Sequence, residues 1–452
     1  MPPALADVLQ YPIERTERAR PGPTGWDKRD QACGDAEEHT LAAEVGRKYV
    51  IIGNGIAGTT CAQTLRKNDP ACDIWLITNE PYPLYNRVSL PRFLQGVLAE
   101  QKVMIRTVEW HLEQRITLLT EKLVTSVDTA ERVVFLDRGG PLRYDALLVA
   151  TGGWANPLRV PGAAGTEHIY NFVTLDDTKE MIARALESKT AVTSGGSFIA
   201  YELTEGFNVR GVHVTWLMRG PRWLRATLDE DGGRLVDEIA TRHGVEVVHG
   251  EEIREVVPAN GVPAGVITST GRHLPADMVG VGLGLTLNHG FLSDTPIERR
   301  QGIVTNDYLE TNVPGVYSAG DVAEFFDPVI GRHHTMGTWD NALAHGKVVA
   351  ANMAGGHEPY LDVPTYTSPL FDTNIAVVGI AEDTNPDLIS VSRTMPGDRG
   401  GKDYRKFFLK DDRLVGAVFI GSPKGRRKVV ELIRTGQRYA TPAERDGLFE
   451  VR

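Results

Sequence analysis

The chain has 452 residues, enough for two to four domains, and a net charge of −10 that argues against nucleic acid as a main ligand. No apolar run approaches the roughly 20 residues of a membrane-spanning helix. Three cysteines, Cys33, Cys61 and Cys72, form no CxxC or CxxxxC pair, which argues against a disulfide framework or a dithiol redox centre.

Residues 1–46 are polar, rich in Pro, Gly, Asp and Glu, and lack periodicity or an apolar leader-like stretch. They read as an extension of a cytoplasmic protein, mobile or laid across the surface. The folded body begins at KYVIIGNGIAGTTCAQTLRK and alternates strand with helix, as α/β domains do. DIWLIT (73–78) and YDALLVATGG (144–153) read as further strands of a first unit, spanning 47–160 and resuming at 286–360. A second strand–turn–helix–strand cycle starts near Ala191 and belongs to a unit at 161–285. After about 360, IAVVGIA, KFFLKDDRLVGAVFIG and RKVVELIRTG suggest a smaller α+β domain over 361–452, with KDDR as a hairpin turn. The fold class is therefore α/β, with two Rossmann-like dinucleotide-binding domains and a small C-terminal α+β domain.

In VIIGNGIAG, Gly53 permits a tight turn, Gly55 lets the backbone approach a pyrophosphate, and Gly58 allows close packing of helix on strand. The pyrophosphate would lie at a helix N-terminus, where free N–H groups favour negative charge. Glu80 follows the second strand, where a ribose-binding acid is expected. Further on, VYSAGD ends a strand in Asp321, and LLVATGG is a glycine-rich strand end.

Taken in this order, these segments resemble the pyridine nucleotide-dependent flavoprotein reductases of the glutathione reductase fold, over residues 47–360. The resemblance implies FAD held by Gly53, Gly55, Gly58, Glu80 and Asp321, with Asp321 at the ribityl chain.

The second turn, SGGSFIA, places Gly195, Ser197 and Ala200 where the fingerprint has three glycines. Ala200 should push the helix off the strand by no more than a methyl group, and family members using NADPH often carry it. No acid ends the next strand, HVTWLMRGPRWLR. Arg219, Arg222 and Arg225 could instead converge on a 2′-phosphate, and the spacing of Arg219 and Arg225 is similar to the NADPH-binding pair of glutathione reductases. NADPH is thus favoured, NADH stays open, and so does the alternative of a solvated basic loop. Ser197 crowds the pyrophosphate position with its Cβ, while its hydroxyl could donate to a phosphate oxygen.

Where the disulfide reductases carry their cysteine pair, EPYPLYNRVSLPRFLQG has no cysteine. The stretch resembles the YxRxxLSKxxL segment of ferredoxin, rubredoxin and nitrite reductase flavoproteins, with Tyr85, Arg87 and Leu90 matching and Arg87 counted among the cofactor-binding residues. Arg92 stands where those have a lysine near the flavin. The resemblance implies an Arg92–Glu202 pair that orients the nicotinamide and Phe198 as an aromatic gate over the flavin, although Phe198 reads equally as core. TWDNALAHGKVVAANMAG resembles the WxxAxxQG helix of the same subgroup, whose N-terminus would face the flavin with Trp339 beside the ring or at a domain interface. His333 and His334, adjacent on an expected loop, read as surface residues, and no metal site is expected.

These residues imply an FAD-dependent NAD(P)H oxidoreductase passing electrons to ferredoxin, rubredoxin or a reductase subunit. The basic SPKGRRKVV cluster offers a dock for an acidic carrier. Two alternatives stay open: a flavin oxidase or quinone-type reductase with a small acceptor, and an FAD-binding interaction subunit whose nicotinamide site does not work. A homodimer is compatible with either.

Overall fold

A computed structural model describes residues 46–328, 331–397 and 400–451. The expected N-terminal extension, with Cys33, lies outside the described residues.

In the strand Lys48–Ile52 the four residues from Tyr49 on are buried and apolar, the pattern of a parallel strand covered on both faces. It sits at the centre of a five-stranded parallel sheet ordered Val316–Ser318, Ala146–Val149, Lys48–Ile52, Asp73–Ile77, Ile116–Leu119. The glycine turn after Lys48–Ile52 opens the helix Ile56–Asn68, which packs against the helix Trp339–Met353. That approach is close because Gly346 has no side chain: a Cβ there would fall 2.4 Å from the Ala57 carbonyl oxygen.

The second parallel sheet repeats the plan, in the order Glu246–His249, His213–Met218, Thr190–Ser194, Met278–Val281, Ile169–Tyr170. Its glycine turn leads into the helix Phe198–Val209, and a small antiparallel sheet, Ile253–Pro275, lies beside it. The chain therefore has two Rossmann-like sheets with their strand ends directed at nucleotide turns.

The third sheet is antiparallel, ordered Thr365–Leu370, Thr373–Gly379, Arg413–Ile420, Lys402–Lys410, Ile389–Pro396. KDDR forms its expected hairpin turn, with Asp411 and Asp412 at φ 49° and 63°, the handedness that matches strand twist. The helix Arg426–Thr435 lays Val429, Leu432 and Ile433 on this sheet, at helical spacing. Buried Lys406 reaches Asp383 at 2.5 Å and Asp229 at 3.7 Å, and Asp229 caps the helix Glu230–Arg242 of the second sheet. The Phe371 amide donates to Tyr201 Oη at 2.8 Å, so the C-terminal sheet is tied to the helix Phe198–Val209 as well. These ties bring Tyr366 over that helix.

Candidate active site

The two glycine turns are built alike. Gly53 has φ +114° and Gly195 φ +135°, both in the left-handed region, and a Cβ on either would lie about 2 Å from a facing carbonyl oxygen, that of Ala150 or Gly282. Only glycine fits either position. Gly58 is equally constrained, since a Cβ there would meet the Gly53 carbonyl. Gly55, by contrast, has open space before it and caps its helix without a side chain.

Ser197 occupies the matching N-cap of the second helix. Its hydroxyl accepts from the Ala200 amide at 3.3 Å and donates to the Gly282 carbonyl at 2.9 Å. The hydroxyl therefore closes the turn internally and is not the phosphate donor that the sequence suggested. The turn's carbonyls are also fixed: Gly195 accepts from Trp216 Nε1, Gly196 from the Leu224 amide, and Ser197 from Trp223 Nε1. Ala200 is accommodated because Gly282 faces it, so the helix does not have to move off the strand.

Of the three arginines, Arg222 does not join the others. Its Nε donates to the Leu228 carbonyl at 2.7 Å and its stem packs over Gly233. Arg219 is exposed, 3.9 Å from Glu252, and Arg225 lies across Gly220, so these two remain on the outer side of the loop.

A cavity of about 920 Å³ opens at the end of the first sheet. Gly53, Gly55, Glu80, Arg87, Asp321 and Trp339 line it, together with Phe198 and Glu202 from the second unit. Inside it, Glu80 accepts from Tyr85 Oη at 2.6 Å and pairs with Arg87, which also donates to Tyr85 Oη and the Val173 carbonyl. Each Glu80 oxygen keeps a further lone pair for a ligand hydroxyl. Burial pushes Asp321 up to about 6, opposed by the Arg87 cation. Thr338 caps the helix Trp339–Met353 through the Asn341 amide, leaving that helix N-terminus at the cavity beside Asp321.

Arg92 and Glu202 do not meet. The short helix Leu90–Leu94 buries Leu90, Pro91 and Leu94. Leu94 packs against Gly206, where a Cβ would lie 2.4 Å from it. At 100° per residue, this buried face turns Arg92 outward. Arg92 is exposed and absent from the cavity wall. Glu202 instead has Tyr366 Oη at 3.4 Å, and burial pushes it up to about 8, with the Tyr366 contact opposing and Glu205 adding to the rise. Phe198 packs edge-on to Tyr366 at 4.7 Å and to Trp223 at 5.1 Å, so it is both cavity wall and part of an aromatic cluster.

His345 was not singled out from sequence. It is fully buried, and its Nδ1 accepts from the Gly320 amide next to Asp321 at 3.2 Å. Phe325 and Tyr360 flank it edge-on, and burial pushes it down to about 3, with His334 adding. His333 and His334 belong to the strand Arg332–Thr335 and not to a loop; His334 faces Asp327 at 3.2 Å and His333 reaches the Thr305 carbonyl. Cys61 and Cys72 are buried free thiols whose ionisation burial pushes up, the opposite of a reactive thiolate.

The first glycine turn and the opening residues of the helix after the second, Phe198, Ile199 and Glu202, line one cavity. Residues 47–346 match the family described as pyridine nucleotide-disulphide oxidoreductase, and the chain belongs to it. It is an FAD-dependent oxidoreductase, and among the described residues it has no disulfide. The chain is similar to the p-cumate 2,3-dioxygenase system ferredoxin--NAD(+) reductase component of Pseudomonas putida, 29% identical over 83% of this chain and 90% of that one. It is 27% identical to nitrite reductase [NAD(P)H] of Bacillus subtilis over 86% of its own length, but spans only about half, 47%, of that protein. Among solved structures it resembles the reductase of the covalent putidaredoxin reductase–putidaredoxin complex, with a TM-score of 0.81 and 25% identity, covering 87% of this chain and 94% of that one.

Proposed function

We propose that this chain oxidises NADPH and hands the electrons, one at a time, to a small redox protein or a reductase subunit in the cytoplasm, where reduced nicotinamide nucleotide is available. The observation that carries this reading is one cavity lined from both nucleotide units, with no cysteine among the described residues of its wall. The residues present suit FAD: a glycine cradle that a Cβ would fill at Gly53, open space before Gly55, and the half-buried carboxyl of Asp321 beside a helix N-terminus. Gly53, Gly55, Gly58, Glu80, Arg87, Asp321 and Trp339 would hold it. When bound, FAD would accept one hydride, carrying two electrons, and release those electrons singly.

The protein's part is position, charge and exclusion of water. Arg87, held by Glu80 and Tyr85, supplies fixed positive charge. The Trp339–Met353 helix directs its positive end into the cavity. Phe198 and Ile199 close the wall on the nicotinamide side. Gly195 and Ala200 would shape the turn that receives the nucleotide's pyrophosphate, their own amides being bonded to the Leu217 carbonyl and the Ser197 hydroxyl, and Ser197 would present its backbone amide, while Arg219 and Arg225 would grip a 2′-phosphate. Names carried by relatives, among them NADH-rubredoxin oxidoreductase of Clostridium acetobutylicum, support a protein acceptor. So does the basic start of the helix Arg426–Thr435, although Arg426 and Lys428 also bond Thr367 and Glu431. Turnover assays with several acceptors test the reading. Rapid reduction of ferredoxin or rubredoxin, falling with salt, is expected; fast turnover with dyes and O2 but none with either protein would contradict it.

A further inference from the structure

Glu202 is a half-buried carboxyl in the wall of the shared cavity, and among the described residues no cation pairs with it. Arg92, on the helix packed against its own, faces solvent. Arg87, the cation of the same cavity, bonds Glu80. The other titratable groups near Glu202 are Glu205, one turn along the same helix, Tyr201, whose hydroxyl donates to Glu205, and Tyr366 on the strand Thr365–Leu370. Val377, Thr227 and Pro91, also in the cavity wall, carry no charge. A lone carboxyl so placed keeps its proton unless a donor stabilises the anion. Tyr366 Oη, 3.4 Å from Glu202 Oε1 and held by its ring contact with Phe198, is the donor in place.

We propose that Glu202 is a proton-bearing residue at the nicotinamide end of the cavity, and that Tyr366, supplied by the C-terminal sheet, is the positioning residue that sets whether the proton is held. This rests on the reading that a nicotinamide nucleotide enters beside Phe198. Its consequence is electrostatic. The oxidised nicotinamide ring is a cation and the reduced ring is neutral, so an ionised Glu202 favours oxidised nucleotide and a protonated one does not. The C-terminal domain thereby tunes nucleotide preference through one hydroxyl.

Two measurements on the FAD-loaded protein test this. Infrared difference spectra taken from about pH 6 to about pH 10 should show a protonated carboxyl signal titrating in the wild type and missing in Glu202→Gln, with its midpoint moved to higher pH in Tyr366→Phe. Over the same range, NADP+ titrations should show Kd falling as pH rises, with a flat profile in Glu202→Gln. No titrating carboxyl signal, or one unchanged in Glu202→Gln, would overturn the inference while leaving the proposed function standing. A carboxyl signal that behaves as expected while NADP+ binds at no pH would overturn the proposed function and confine Glu202 to holding a proton.

Discussion

Ala200 and Gly282 face each other so closely that a Cβ on Gly282 would lie 2.7 Å from the Ala200 methyl and 2.4 Å from its amide nitrogen. In the first unit the corresponding residues are Gly58 and Ala150, so the single methyl has changed sides of the strand–helix contact. Gly282→Ala should therefore overpack the second turn and cost about 1–3 kcal/mol, with Ala200→Gly recovering part of the loss. Thermal unfolding of the two variants and their combination checks this; an unchanged Tm for Gly282→Ala would contradict it.

Ser197 is a cap, and its variants should behave as cap variants do. Ser197→Ala should lower stability by about 1 kcal/mol, because the Ala200 amide and Gly282 carbonyl lose a partner, while nucleotide affinity changes little. A large loss of NADPH affinity at constant Tm would show that the hydroxyl serves the ligand after all.

Arg219, Arg222 and Arg225 should separate by assay. Glutamate at Arg219 or Arg225 should weaken NADPH binding about tenfold to a hundredfold and leave NADH nearly untouched. Arg222→Ala should instead lower Tm with both nucleotides, since its guanidinium closes the loop onto Leu228. Equal losses for NADH and NADPH at Arg219 would remove the basis for the NADPH preference.

Buried neutral His345 links stability to pH. Its folded value of about 3 lies below the ordinary 6.5, so the unfolded chain binds the extra proton and stability falls as pH drops below about 6.5. The slope is at most about 1.4 kcal/mol per pH unit for one group. His345→Gln should flatten the decline in Tm between about pH 6.5 and pH 4 relative to wild type; parallel declines would contradict the assignment.

Asp321 is the half-buried carboxyl beside the helix N-terminus. Asp321→Ala should be purified with much less flavin, its FAD affinity lowered at least about tenfold, with little change in the far-ultraviolet circular dichroism spectrum. Full flavin content would argue that Asp321 does not hold the cofactor.

The glycine turns, their strands and the C-terminal hairpin were legible because their signals are local: a backbone that must turn where no Cβ fits leaves glycine in the sequence. The Arg92–Glu202 pairing failed because register on a five-residue helix depends on which face its neighbours bury, and Leu94 against Gly206 decides that. Tyr366 left no signal, since its contact with Glu202 spans 164 residues and is set by how the C-terminal sheet docks. Ser197 looked like damage to a fingerprint because its partner, Gly282, lies 85 residues away. Convergence of Arg222 with its neighbours was likewise a three-dimensional question that spacing alone could not answer.

The most direct test is anaerobic mixing of the oxidised, FAD-loaded protein with NADPH and, separately, with NADH, while the flavin absorbance is followed. Rapid bleaching by NADPH and slower bleaching by NADH are expected. No bleaching with either nucleotide would contradict the proposed oxidoreductase chemistry.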